Sequence, residues 1–431
     1  MGVEHPREQR RATAPGPDDE TIHASSSPDD LSSHVMPETD PVTWSSIARA
    51  IEHAQSIVAE IDAPDTPRFR AEATRYLGRF LAAGLTSCVL HNDPDYPVFG
   101  RMMDYTMPWG LDHPDCLYLY APLRGDAVYR VQGPRGSANH FDVQVNAGHF
   151  ALGSVQATTT LASLDARALG LAPDAPLDLQ IGGERGETDA ASWLASDTDA
   201  RFLLVRQYFY DWERERPADL SIERVGAEWP IPPPSPERLD EQLALLETWL
   251  RSGAEQWARM SAGFLSLPEN SVIVHAADAA ARHGGAAGQA YCMGNFACDP
   301  DEAVVVEFTP PDCDHWVFAM GNRYWEQIEF ASRQSSLNGF QAKLDTDGVF
   351  RAVIAHRDPG VPNWLDPAHD ERGTVAMRFL GAKDAPDPIF RRLPLEELRT
   401  ALPEDTPHVG AADRAEAMQR RRHAAVARFR R

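Results

Sequence analysis

Short runs of alternating apolar and polar residues dominate the chain after Leu90 and constrain its fold more than any other feature. Three clear examples are residues 116–120, 127–132 and 141–146. Turns containing glycine and proline bound these runs, as at residues 133–136. A period of two residues is that of a β-strand with one buried face, so the runs predict consecutive antiparallel strands.

The same pattern continues through the second half of the chain. Further strand candidates are residues 177–182, 201–210, 220–225, 303–309, 315–320, 326–330, 350–355 and 373–379. Between the two groups, the proline-rich segment 229–236 cannot join a central strand, and apolar residues at helical spacing follow it from Leu239 to Trp257. The predicted fold class is therefore mainly β, with two antiparallel β-sandwich lobes and a long helix between them.

The two ends of the chain have other patterns. Residues 1–40 are rich in Pro, Ser, Asp and Glu and predict a disordered tail, whereas residues 41–90 carry helical periodicity, with Thr66 as the cap of a second helix. We place the first lobe at residues 91–228, the linker and long helix at 229–265, and the C-terminal lobe at 266–403. The basic tract RRRHAAVARFRR, within residues 404–431, predicts a terminal helix whose arginines pair with the acidic body.

Charge and motifs exclude several classes of protein. The formal net charge is −23, and such a surface repels nucleic acid. No apolar run approaches the ~20 residues that span a bilayer, and the N-terminus lacks the apolar region of a signal peptide, so we expect a cytoplasmic protein without a membrane span. The five cysteines form no CxxC pair and predict reduced thiols. Dinucleotide-binding, phosphate-loop and nucleophile-elbow motifs are missing from suitable contexts.

The densest group of chemically useful side chains lies between Asn322 and Arg372. Histidines and carboxylates there predict general acid and base work near neutral pH, and amide, guanidinium and indole groups predict a pocket for an apolar, aromatic or polycyclic small molecule. The candidate catalytic residues are His356, Asp366, His369 and Glu371. The candidate binding residues are Asn322, Arg323, Trp325, Asn338, Asn363, Trp364 and Arg372.

Two other interpretations of this region stay open. The segment from Asn363 to Arg372 is also typical of a rigid turn in which Asn bonds the backbone and Trp plugs the end of a sandwich. His356, Asp358, Asp366 and His369 are residue types that bind Zn or Fe, but their spacing matches no zinc motif, so we predict neither a metal nor another cofactor.

A second aromatic and charged cluster lies in the first half of the chain. We expect it to pack the lobes together or to line a cleft between them. Its members are Tyr105, Trp109, Asp112, Asp115, Tyr118 and Arg130, with Arg206, Tyr208 and Tyr210 alternating on one strand.

At these motifs the sequence resembles the bacterial domain-of-unknown-function family 1214, often found with family 1254. The resembling stretches are WGLDHPD at 109–115, LYLYAPLRGD at 117–126, VYRVQGPRG at 128–136, FTPPDC at 308–313, Trp316, GNR at 321–323, SLN at 336–338, HRDPGVPNWLD at 356–366 and HDERG at 369–373. The resemblance implies two lobes, the second a jelly-roll-like β-sandwich, and implies no reaction. Family members often carry a D-x-x-G-H-R-E-G-like run where this chain has DPAHDERG at 366–373.

Two functional hypotheses follow. The first is a cofactor-independent acid–base enzyme, of hydrolase or lyase type, that acts on an apolar or aromatic small organic molecule. The second is a non-catalytic binding or structural β-sandwich protein. Self-association into a homo-oligomer is compatible with both.

Overall fold

The computed structural model describes residues 42–153, 158–275, 277 and 288–430. The predicted tail at residues 1–40 lies outside them. Four β-sheets and a group of helices form the fold, which confirms the predicted mainly β, two-lobed class. The strands are β1 Cys116–Pro122, β2 Tyr129–Pro134, β3 His140–Gly148, β4 Thr158–Asp165, β5 Pro176–Ile181, β6 Ser192–Leu194, β7 Ala200–Tyr208, β8 Ser221–Arg224, β9 Val272–His275, β10 Gln289–Ala297, β11 Glu302–Phe308, β12 His315–Gly321, β13 Ser336–Asn338, β14 Phe350–Ile354, β15 Trp364–Leu365, β16 Arg372–Leu380 and β17 Ile389–Pro394.

Each lobe consists of two sheets. In the N-terminal lobe, β1–β8, sheet A has the order β1-β7-β3-β4 and sheet B the order β6-β5-β2-β8. In the C-terminal lobe, β9–β17, sheet C has the order β13-β12-β16-β10-β9 and sheet D the order β15-β14-β11-β17. The pairings are antiparallel except for β5 with β6 and β14 with β15. One strand prediction was wrong, because residues 326–330 form irregular backbone with a single bridge between Gln327 and Gly321, and Glu329 has φ 25°.

Helices pack on the outer faces of the sheets. They are α1 Trp44–Glu60, α2 Pro67–Leu85, α3 Pro236–Thr248, α4 Ala254–Leu265, a short helix Leu398–Ala401 and the C-terminal helix Ala411–Arg428. Of these, α4 lies against sheet C, and the short helix lies against sheet D. Thr66 caps α2, and Pro67 is its first residue, as predicted. The single long helix expected between the lobes is instead α3 and α4, joined by a π-helical segment at Trp249–Gly253. There Trp249 stacks on Phe80, with ring centroids 4.5 Å apart.

Period-two burial decides which faces of the sheets meet. In sheet A, Phe141, Val143 and Val145 of β3 pack in the core shared with sheet B. The intervening residues of β3, which include Asp142 and Gln144, point to the opposite face. In sheet C, Phe318 of β12 packs toward sheet D, so His315 and Val317 lie on the other face.

The two remaining faces of sheets A and C meet each other. Leu380 of sheet C packs with Cys116, Tyr118 and Tyr208 of sheet A. Asp142 and Gln144 are 6% and 2% exposed, although their alternation with apolar neighbours is typical of a solvated face. The lobes therefore enclose a polar interface between them.

Within the described residues, no helix is both long and apolar enough to cross a bilayer. All five cysteines, each of them described, are free thiols, and four are buried.

Candidate functional site

The candidate catalytic residues of the C-terminal lobe contact different partners within the described structure and not one another. His356 Nε2 lies 2.8 Å from the backbone carbonyl oxygen of Cys298, and Asp366 pairs with Arg333 at 2.6 Å. His369 and Glu371 are exposed. No hydrogen bond joins the four candidate side chains to one another in the part of the chain that the structure describes. They do not form an acid–base pair.

Asn363 and Trp364 bind the backbone that surrounds them. The Asn363 amide donates to the carbonyl oxygens of Lys343 and Arg351, at 2.6 and 3.0 Å. The Trp364 indole N–H donates to Ala355 O at 2.8 Å. These are the contacts of the alternative interpretation, in which the segment is a structural turn.

A cleft of about 700 Å³ separates this segment from the C-terminal helix. Trp364 and Asp366 line it, together with three ion pairs that satisfy its charges. The pairs are Arg75 with Glu329, Arg333 with Asp366 and Arg414 with Asp358. Each guanidinium is already paired with a carboxylate. The cleft therefore has room for a ligand and one indole face, but few free polar groups to bind it.

Four other candidate binding residues lie outside this cleft. Asn322 Oδ1 accepts from the backbone N–H groups of Tyr324 and Glu326 and so shapes its own turn. Arg323 donates to Asp62 O and lines a second cleft of about 570 Å³ between α1 and α4. Trp325 stacks on Phe264 at 5.0 Å, and Arg372 reaches Leu265 O at 3.5 Å.

Asn338, the last candidate binding residue, belongs to a buried network centred on Asp115. Oδ1 of Asp115 accepts from the Trp212 indole at 2.7 Å and from the Asn338 amide at 3.0 Å. Oδ2 of Asp115 lies 2.9 Å from Nε2 of His315. Asp115 precedes β1, whereas Asn338 and His315 lie on β13 and β12, so one carboxylate joins the two lobes.

The hydrogen bonds of His315 and His113 determine which ring nitrogen carries a proton. A carboxylate only accepts, so a neutral His315 donates through Nε2 and has its lone pair on Nδ1. Nδ1 of His113 accepts from the backbone N–H of Asp115 at 3.1 Å, so its Nε2 carries the proton. Burial, and then the positive charge of Arg378, hold the pKa of His113 well below its ordinary value. The two rings, 5.5 Å apart, thus present one acceptor and one donor.

Several polar atoms around this network lack a protein partner. Nε2 of His113, Nδ1 of His315, Oδ1 of Asp142, Nη1 of Arg378 and both Nε and Nη1 of Arg428 are buried and unpaired among the described residues. Arg378, Arg428 and Arg206 all act electrostatically on His113, so these groups are neighbours. We call His113, Asp115, Asp142, Arg206, His315, Arg378 and Arg428 the interlobe cluster.

Unpaired buried groups of this kind are costly, at about 1–3 kcal/mol each. Native proteins usually satisfy them with protein, water, an ion or a ligand. Small-molecule sites are also common at interfaces between lobes. The interlobe cluster is therefore the strongest candidate site in the described chain.

The cluster fits a metal ion poorly. His113, Asp115 and His315 bring possible ligand atoms within 4.8 Å of one another. However, Nδ1 of His113 accepts a backbone hydrogen bond and Nε2 of His315 serves Asp115. The positive charges of three guanidiniums also act on His113, and they oppose the binding of a metal cation there. The hydrogen-bond pattern instead suits a ligand with polar or anionic groups.

Two members of this cluster, Asp115 and Arg206, were predicted from the sequence as cleft or packing residues. The other members were not predicted: His113, Asp142, His315, Arg378 and Arg428. The available signals were the LDHPD segment at 111–115 and a charged Arg378 within the apolar strand β16.

One solved structure supports the fold. The crystal structure of an uncharacterized protein from Burkholderia cenocepacia is similar at a TM-score of 0.76 and 28% identity, covering 83% of this chain and 97% of that one. The VPA0106 protein from Vibrio parahaemolyticus matches at a TM-score of 0.44 and 14% identity, over 80% of this chain and 99% of that one. No protein-family model and no curated protein matches the chain. The first structure thus shares the architecture over most of the chain.

Proposed function

We propose that the protein binds a small organic molecule between its two lobes and performs acid–base chemistry on it, with His315 as the base. The observation that carries the proposal is the set of unpaired buried polar atoms contributed by both lobes. Tyr118, which lies between the lobes, retains accessible surface. This surface is consistent with space for a ligand beside the cluster.

The proposed chemistry follows from the positions of the protons. Nδ1 of His315 accepts a proton from a hydroxyl or an acidic C–H of the ligand, and Asp115 stabilises the imidazolium that forms. Nε2–H of His113 donates to the oxygen on which negative charge develops. The proton returns from His315 to the product, so no oxidant, reductant or cofactor is required.

Hydrogen–deuterium exchange tests for the base without knowledge of the full reaction. Pyruvate, phenylpyruvate and acetophenone would be incubated with the protein in D₂O, and loss of their α C–H signals followed by proton NMR. We expect exchange above the uncatalysed rate with at least one compound. We expect His315→Asn to remove it, because Asn has no basic nitrogen.

His356→Asn is the matched control, because His356 is one of the two histidines predicted as catalytic from the sequence and bonds only Cys298 O in the described structure. It should leave the exchange rate unchanged. Loss of exchange in His356→Asn but not in His315→Asn would move the site to the C-terminal lobe and overturn the assignment.

Non-catalytic binding is the second candidate function. It is favoured by the closure of the cluster, since Nε2 of His113 and Nδ1 of His315 are shielded from solvent. Ligand-dependent stabilisation of the wild type without any proton exchange would select this alternative. Membership of family 1214, a cytoplasmic location and a homo-oligomeric state also remain proposals.

A further inference from the structure

We infer that the molecule bound between the lobes carries a carboxylate, which Arg378, Arg428 and His113 hold. The inference takes its location from the proposed function but does not require catalysis. Its ligand class is a small organic monoanion.

The free donors of the cluster lie on three side chains from three parts of the chain. Arg378 of β16 donates through Nη2 to Leu111 O, and its Nη1 is unpaired within the described structure. Arg428 of the C-terminal helix donates through Nη2 to Pro114 O at 2.6 Å, and its guanidinium lies over the Trp212 and Phe429 rings. Its Nε and Nη1 have no hydrogen-bond partner among the described residues. His113 adds Nε2–H. All three residues are more than nine-tenths buried, at 6%, 3% and 3% exposure.

These free donors outnumber the unpaired acceptors of the cluster in the described structure, which are Oδ1 of Asp142 and Nδ1 of His315. Asp115 already accepts from Trp212, Asn338 and His315, and Asp112 accepts from the backbone N–H of Gln327 at 3.4 Å. Guanidinium groups cannot accept and keep their charge. The missing group must therefore be an acceptor, and a negative charge compensates the guanidiniums best.

The number of free donors favours a carboxylate over a phosphate. Each guanidinium donates from one nitrogen to a backbone carbonyl, which fixes its plane. Arg378 therefore retains one free nitrogen and Arg428 two. A planar group with two oxygens and one charge matches such a set. A hydroxyl or carbonyl next to that carboxylate would then face His113 Nε2–H and His315 Nδ1.

Benzoate and benzamide test the charge requirement on the intact protein, because they differ mainly in the carboxylate. At equal millimolar concentration and ionic strength, benzoate should raise the melting temperature and benzamide should not. Calorimetric titration should give a benzoate affinity at least about tenfold higher than that of benzamide, as expected for a charge-assisted hydrogen bond. Equal effects of the two compounds would overturn the inference.

Variants then place the anion. Arg378→Met should weaken benzoate binding by about tenfold or more, and Arg378→Lys should restore part of it. An unchanged affinity in a folded Arg378→Met protein would overturn the site. If Arg378→Met does not fold, crystals of the wild type soaked with benzoate decide: density on Nη1 of Arg378 supports the inference, and density elsewhere or none refutes it.

Failure of this inference differs from failure of the proposed function. His315→Asn should abolish proton exchange but retain benzoate binding, because His315 offers an acceptor and not a donor. Proton exchange without any preference for benzoate over benzamide would leave the proposed function intact and refute only the inference that the ligand carries a carboxylate.

Discussion

Replacement of Asp115 by Asn should destabilise the protein more than any exposed charge replacement. The amide keeps one oxygen for Trp212 and Asn338, but its NH₂ group can bond Nε2 of His315 only if the imidazole moves its proton to Nδ1, which has no acceptor among the described residues. Burial lowers the pKa of Arg421 to about 9 and of Arg428 to about 10, and the charge of Asp115 opposes both shifts. Both guanidiniums would lose that compensating carboxylate. Breaking a buried, hydrogen-bonded charge network costs about 3–5 kcal/mol.

Urea unfolding followed by tryptophan fluorescence measures this effect. With a slope of about 3 kcal/mol per M of urea, a loss of this size lowers the midpoint by about 1–1.7 M. Asp126→Asn is the control, since Asp126 is exposed and pairs with Arg124 at the surface, and its midpoint should not move measurably. If Asp115→Asn shifts the midpoint no further than Asp126→Asn, the network does not join the lobes as argued.

Three further predictions concern stability. Gly84→Ala should destabilise the protein by about 1–3 kcal/mol, because a Cβ there would lie 2.4 Å from the Trp249 ring. Gly78→Ala has open space around it and should stabilise the protein by about 0.5–1 kcal/mol through its higher helix propensity. Urea midpoints would show both effects. Burial raises the pKa of Asp112 to about 7, so its protonated form stabilises the fold below about pH 4 and that stabilisation is lost as pH rises toward 7. Asp112→Asn should thus flatten the fall in unfolding free energy between about pH 4 and pH 7, and an unchanged slope would contradict this. Arg414→Ala, which removes contacts to Asp358, Gln334 and Val361 O, should speed proteolysis within the C-terminal helix, and an unchanged digestion rate would refute the anchoring role.

The strands could be predicted because each depends on local periodicity. The run 141–146 alternates in a way that only a half-buried strand explains, and β3 covers it. The prediction of a strand at 326–330 failed because a side chain just before it sets the local backbone. Asn322 accepts from the backbone N–H groups of Tyr324 and Glu326, and Glu329 adopts a φ of 25°, which no extended strand allows.

The site was harder to predict because its residues come from distant segments. The polar positions of β3 resemble a solvated face, and nothing in their own sequence indicates that a second lobe covers Asp142. His113 and His315 are separated by about two hundred positions, and their approach depends on how sheets A and C pack. Conversely, the polar composition of residues 356–372 predicted a site there, yet Asn363 and Trp364 donate their hydrogen bonds to backbone carbonyl oxygens.

A high-resolution crystal structure of the protein soaked with benzoate tests the central claim most directly. Our account predicts non-protein density between the lobes, with carboxylate oxygens within hydrogen-bonding distance of Nη1 of Arg378 and Nε2 of His113. If those nitrogens bind only protein atoms or ordered water at saturating benzoate, the unpaired groups are part of the internal packing and the proposed ligand site does not exist.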